Sequence, residues 1–229
     1  MTGVQTCALP IFLFEAIAEE TLAKIQNFNT QGLTNTAWAF ATLGIKDDKL
    51  FRAISTESLE KIQNFNTQEL ANTAWAFATL GIKDDTLFRD ISAESLKKIQ
   101  NFNTQGLANT AWALMLYSLF TATHTYHSLL ISLIRTLTSK ADALSVENSI
   151  EIHQVLLYLR YFSSENLDFF PSSDLQAKIN AHLKEQSKTP PRSSELHKFV
   201  QTALETLLGH KLSAIFCRGI LSRYRVRFR

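Results

Sequence analysis

Amide side chains at a fixed spacing are the most chemically suggestive feature of this chain. Gln31 and Asn35, Gln68 and Asn72, and Gln105 and Asn109 occupy the same places in three successive copies of one segment, and Thr79 follows in the middle copy. An amide donates and accepts hydrogen bonds without carrying charge. Such a row reads either as a solvated polar face or as a face turned to a ligand. A second concentration lies at the far end, where Arg223, Arg225 and Arg227 alternate with Tyr224, Val226 and Phe228. That alternation fits a strand with one basic face, and a disordered end or out-of-frame sequence at a fragment boundary is the alternative. Signals for catalysis are weak. His124 and His127 are spaced to share a helical face, but no carboxylate or cysteine joins them at ligand spacing. There is no Gly-rich phosphate loop, no G-x-S-x-G and no C-x-x-C. The expectation is a protein that is not an enzyme and uses no metal or cofactor.

The elements that hold the amides are the repeats themselves. Copies of 37 residues run over 13–49, 50–86 and 87–123, the middle one reading LFRAISTESLEKIQNFNTQELANTAWAFATLGIKDDT. A period of this size is the mark of a solenoid, in which each unit buries its apolar face against its neighbours. Each copy parses into a helical hairpin. In the middle one, a helix over about 49–62 follows a cap from Asp47 or Asp48. The turn Asn64-Phe65-Asn66 breaks it, Thr67 is the expected cap of a second helix over 68–80, and Gly81 sits at a left-handed end. On the second helix, Leu70, Ala71, Ala74, Trp75, Phe77, Ala78 and Leu80 make a wide apolar arc. Gln68, Asn72, Ala76 and Thr79 remain as a polar strip with Glu69 at its edge. This assigns the row Trp38, Trp75 and Trp112 to the core between units.

The run QELANTAWAFATLGI, following LFRAI…LEKI and the NFN turn, resembles the octotricopeptide type of helical repeat. It is also similar to the repeats that precede RAP domains in FAST-kinase-like proteins. The likeness covers residues 13 to about 113. Residues 152–160 resemble the helix that follows such repeats, and 190–208 the lead-in to a RAP domain; nothing after Gly209 supplies that domain's acidic strand, so no nuclease activity is carried over. The resemblance implies single-stranded RNA as partner and a role in RNA stability, processing or translation. Under it, Gln31, Asn35, Gln68, Asn72, Thr79, Gln105 and Asn109 become candidates for base edges, and Arg223, Arg225 and Arg227 for phosphates. The rival expectation is a protein–protein interaction scaffold, because the repeats are not basic: 13–123 holds 9 Lys and Arg against 12 Asp and Glu, while 124–229 holds 14 against 9. Lys46 and Lys83 in the turns, and Lys24, Lys61, Lys97 and Lys98 on the first helices, could still form local basic stripes.

The domain organisation expected is therefore an all-α solenoid of three hairpins over 13–123, a helical region over 124–186, and a linker, helix and basic tail over 187–229. After Ala113 the third copy departs from the pattern, as a terminal capping unit does. Residues 1–11 lack the basic and apolar regions of a signal peptide and resemble a translated sequencing-adapter oligonucleotide. Residues 1–12 are expected to be a non-native leader, with further repeats upstream in the natural protein. The first hairpin should then expose Phe14 and Ile17. Setting Cys7 aside leaves Cys217 alone, which fits a reducing compartment and hence an intracellular setting; the resemblance implies an organelle or a bacterial cytoplasm. No stretch approaches the roughly 20 apolar residues of a membrane span.

Overall fold

The computed structural model describes residues 8–162 and 173–186, and every regular element among them is helical. The α-helices are α1 (Ala8–Lys24), α2 (Thr30–Leu43), α3 (Asp48–Lys61), α4 (Thr67–Thr79), α5 (Asp85–Lys97), α6 (Thr104–Thr121), α7 (His127–Thr138), α8 (Val146–Phe162) and α9 (Ser173–Gln186). Successive pairs form hairpins. In one layer α2 packs on α4, α4 on α6 and α6 on α8; α1, α3 and α5 follow one another in the second layer. The architecture is an all-α array of stacked hairpins. Among the described residues no helix is long and apolar enough to cross a membrane.

Local chemistry explains the boundaries. The Asp47 carboxylate accepts from the N–H groups of Lys49 and Leu50 at 3.0 and 2.9 Å, opening α3. A single 3-10 turn then follows α3, Ile62–Asn64, and drops Phe65 into the core with no exposure. The cap of α4 is Asn66 rather than the expected Thr67. Its side chain accepts from Glu69 N–H at 2.9 Å, while the Glu69 carboxylate accepts from Asn66 N–H at 2.9 Å. This reciprocal box satisfies two end donors at once, so Thr67 moves into the first turn. Asn29 and Asn103 cap α2 and α6 through the first of these bonds alone, accepting from Gly32 N–H at 2.8 Å and Gly106 N–H at 2.7 Å. At the other end, Gly44 and Gly81 take φ of +69° and +62°. Ile45 and Ile82 N–H then close on Phe40 and Phe77 carbonyls at 2.9 and 3.0 Å.

Between units the core is aromatic. Phe14 meets Phe40 edge-on at 5.0 Å, Phe51 meets Phe77 likewise at 5.0 Å, and Phe88 stacks on Tyr117 at 3.8 Å. Each unit is also fastened to the previous one by a lysine. Lys61 Nζ donates to the carbonyls of Gln26 and Phe28 at 3.1 and 2.9 Å. Lys98 repeats this on Gln63 and Phe65 at 2.8 and 2.7 Å. The carbonyls left bare where the 3-10 turn leaves helical geometry thus gain a charged donor. Lys61 and Lys98 are therefore committed to the fold and do not form the basic stripe that their positions suggested. Lys24, at the equivalent place in the first copy, pairs with Glu20 at the surface.

The lysine pattern continues beyond the third copy. Lys140 Nζ holds the carbonyls of Gln100 and Phe102 at 2.9 and 2.6 Å, and Lys178 Nζ holds that of Ala141 at 3.0 Å. After Lys140 come a 3-10 turn, Ala141–Ala143, then Leu144 at 5% exposure in the place of Phe102, and Ser145 at the head of α8. The α7–α8 pair is thus a further hairpin of the same build. The third copy is not the terminal unit that its loss of pattern suggested: α6 is longer than α4 and is covered by α7 and α8. At the other end, α1 begins at Ala8, within the segment expected to be a leader. Ile17 is 38% exposed as expected, but Phe14 is half-buried because Phe40 receives it.

Candidate functional site

The face of the second helices is built from the residues that the hairpin does not use for packing. On α2, Gln31, Asn35, Trp38 and Thr42 are all exposed; on α4, Gln68 is exposed and Asn72, Trp75 and Thr79 are half-buried; on α6, Gln105 is exposed and Asn109 half-buried. The structure thus aligns every expected amide of α2, α4 and α6 along one side of the layer. Two members of the strip differ from expectation. Ala76 is fully buried, and the half-buried Thr79 has its hydroxyl oxygen enclosed with no hydrogen-bond partner. Glu69 is buried and held in its capping box, so it brings little charge to the face.

The tryptophan row is the main correction. Only Trp112 is core, at 2% exposure; Trp75 is half-buried and Trp38 is 47% exposed. Spacings of four, three and four residues along Gln31, Asn35, Trp38 and Thr42 follow one stripe of a 3.6-residue helix. The indole therefore rises from the amide face, not from the opposite arc. In the third copy the same stripe is covered by α8. Trp112 Nε1 donates to Gln154 Oε1 at 2.8 Å. With its amide nitrogen facing them, Asn109 donates to Glu151 Oε2 at 3.3 Å and Gln105 O at 3.2 Å.

Charge is absent from this face for a simple reason: α2, α4 and α6 contain no Lys or Arg, and Glu69 is their one acidic residue. The cations of the repeats lie on the first helices and the turns. Arg223, Arg225 and Arg227 lie outside the described residues, as does the whole of 187–229.

The two histidines are engaged in ring packing and turn hydrogen bonds. His124 precedes α7 instead of sharing its helix, so the pair is joined by a turn in which His127 Nδ1 lies 2.9 Å from the His124 carbonyl. His124 Nδ1 meets the Tyr158 hydroxyl at 2.9 Å, and the rings of His124 and His127 stack on Phe162 and Tyr158 at 5.1 and 5.3 Å. They fasten α8 to the α6–α7 turn. Among the described residues no group of three or more His, Cys, Asp and Glu is placed to hold a metal ion. Elsewhere on α8, burial holds the His153 imidazole below its ordinary pKa. In the core, burial and the hydrogen bond to Asp85, at 2.6 Å, push the Tyr117 hydroxyl far above the usual phenol range.

No curated protein matches the chain. The family profile of the RNA-editing substrate-binding complex 6 protein matches residues 8–161, which takes in α1 to α7 and nearly all of α8. That span is more than half of the 229 residues and includes the α7–α8 hairpin, which shares the fold of the repeats without their sequence. The chain belongs to the RNA-editing substrate-binding complex 6 protein family.

Proposed function

We propose that this protein binds single-stranded RNA through the amide-bearing face of its second helices, and that it holds RNA as a substrate without itself catalysing a reaction. The observation that carries this is the row of exposed Gln31, Asn35 and Gln68 with half-buried Asn72, in a chain of a family named for substrate binding in RNA editing. Amides recognise base edges without charge, and unpaired RNA is read chiefly at those edges. The repeats are of the octotricopeptide-like kind in this reading, and the setting is intracellular, an organelle or a bacterial cytoplasm. Binding by the repeats alone has a shallow salt dependence, because few phosphates meet a cation there; Arg223, Arg225 and Arg227 add the steep part.

The absence of Lys and Arg from α2, α4 and α6 favours a second reading, a protein-interaction scaffold. The two separate in one experiment. The Asn35→Ala, Asn72→Ala double variant is titrated with short single-stranded RNA at low and moderate salt. A loss of about tenfold or more in affinity, with an unchanged melting curve, is expected from removing two amide contacts. Parental protein that binds no RNA at either salt concentration hands the lead to the scaffold.

A further inference from the structure

The third copy shows what this face does with a ligand, because one is already seated there from within the chain. The donor pair is Asn109 and Trp112, and the two occupants are side-chain oxygens of α8: Glu151 Oε2 at the Asn109 amide nitrogen, and Gln154 Oε1 at 2.8 Å from Trp112 Nε1. A carbonyl or carboxylate oxygen is thus the group that fits each donor. The same pair of residue types, three apart on the same stripe, recurs as Asn35 and Trp38 in the first copy, where both are exposed and Trp38 stands 47% open. Between them, Asn72 and Trp75 make the intermediate step, half-buried.

From this internal occupancy we infer that Asn35 and Trp38 form a binding site for the carbonyl-bearing edge of an unpaired nucleobase, with the Asn35 amide and the Trp38 indole N–H as the donors. The inference rests on the RNA-binding reading above and narrows it. Cytosine and uracil present ring carbonyls to such donors, whereas the acceptors of adenine are ring nitrogens beside an amino donor. Discrimination here comes from hydrogen bonding, since a donor that faces the adenine amino group where a pyrimidine has a carbonyl is left without a partner when the base covers it. Neither donor carries charge and no cation lies on α2, so affinity at this site is insensitive to salt. An exposed indole has little packing to lose, which keeps its substitution separable from folding.

The test compares the parent with Trp38→Phe, Trp38→Ala and Asn35→Ala, each titrated with single-stranded oligo(U), oligo(C) and oligo(A), and each melted alongside. Phenylalanine keeps a ring for stacking but loses the N–H. The expected result is that the parent prefers oligo(U) and oligo(C) to oligo(A). Trp38→Phe and Asn35→Ala each lose about tenfold in affinity for the pyrimidine oligomers and less for oligo(A), the size expected for a base-edge contact. All four melt together. If Trp38→Phe binds as the parent does while Trp38→Ala is weak, the indole is a stacking surface and the donor assignment falls. If the parent binds RNA and none of the variants changes it, the site is elsewhere and RNA binding still stands. If the parent binds none of the three oligomers, the RNA reading falls with this one.

Discussion

At the scale of single residues, three tryptophans of near-identical sequence context have different work. Trp112 is enclosed between α6 and α8 with its N–H bonded, whereas Trp38 stands open. Trp112→Ala should therefore lower stability by about 3–5 kcal/mol, the usual cost of emptying a large aromatic site. Trp38→Ala should change it by no more than about 0.5 kcal/mol, as exposed substitutions do. Denaturant melts of the two variants check this, and equal losses would restore the row to the core. The distinction was only half legible. At 100° per residue, Gln68, Asn72, Trp75 and Thr79 fall within roughly 60° of one another, so the angle alone sets the indole among the amides. Hydrophobicity pulled the reading the other way, since a large aromatic is normally core. What no periodicity could reveal is that Glu151 and Gln154 cover the third member, because that depends on how α8 docks.

Within elements, the turns were easier to foresee than the fastenings between them. The caps at Asp47 and Gly81 follow from residue type and position; the cap at Asn66 differs by one residue because the capping box with Glu69 engages two donors. The lysine contacts were missed because they join a side chain to backbone carbonyls more than 30 residues away. Their signal was present in outline: Lys140 stands four residues before the buried Leu144 and five before Ser145, as Lys98 stands before Phe102 and Asn103. Lys98 also meets Glu94 Oε1 at 3.0 Å, giving it three acceptors in all. Lys98→Met should cost about 1–3 kcal/mol by leaving these acceptors with less help. Lys24→Met, which removes only an exposed ion pair, should cost less than about 0.5 kcal/mol. Thermal melts of the two variants give the comparison.

Over the whole molecule, these contacts make stability depend on acid. Hydrogen bonds from Lys97 and Lys98 hold the Glu94 carboxyl below its ordinary value of 4.5, against the opposing pull of burial. A depressed carboxyl stabilises the folded state above its unfolded pKa, and that contribution is lost as pH falls through the folded value. The melting temperature of the parent should therefore drop between about pH 5 and pH 3. In Glu94→Gln, which starts lower, the drop over the same interval should be smaller. Identical slopes would show that other carboxylates govern the acid limit.

The lysine contacts also run in one direction only. In every case the ammonium comes from the later unit and the carbonyls from the earlier one: Lys61 to residues 26 and 28, Lys98 to 63 and 65, Lys140 to 100 and 102. A chain emerging from the ribosome therefore lacks the ammonium donor of each such turn when the hairpin's own two helices are made. It must wait for the next helix to deliver the latch. Latching then trails synthesis by one helix along the described hairpins, and the most recently made turn is the one whose carbonyls still face water.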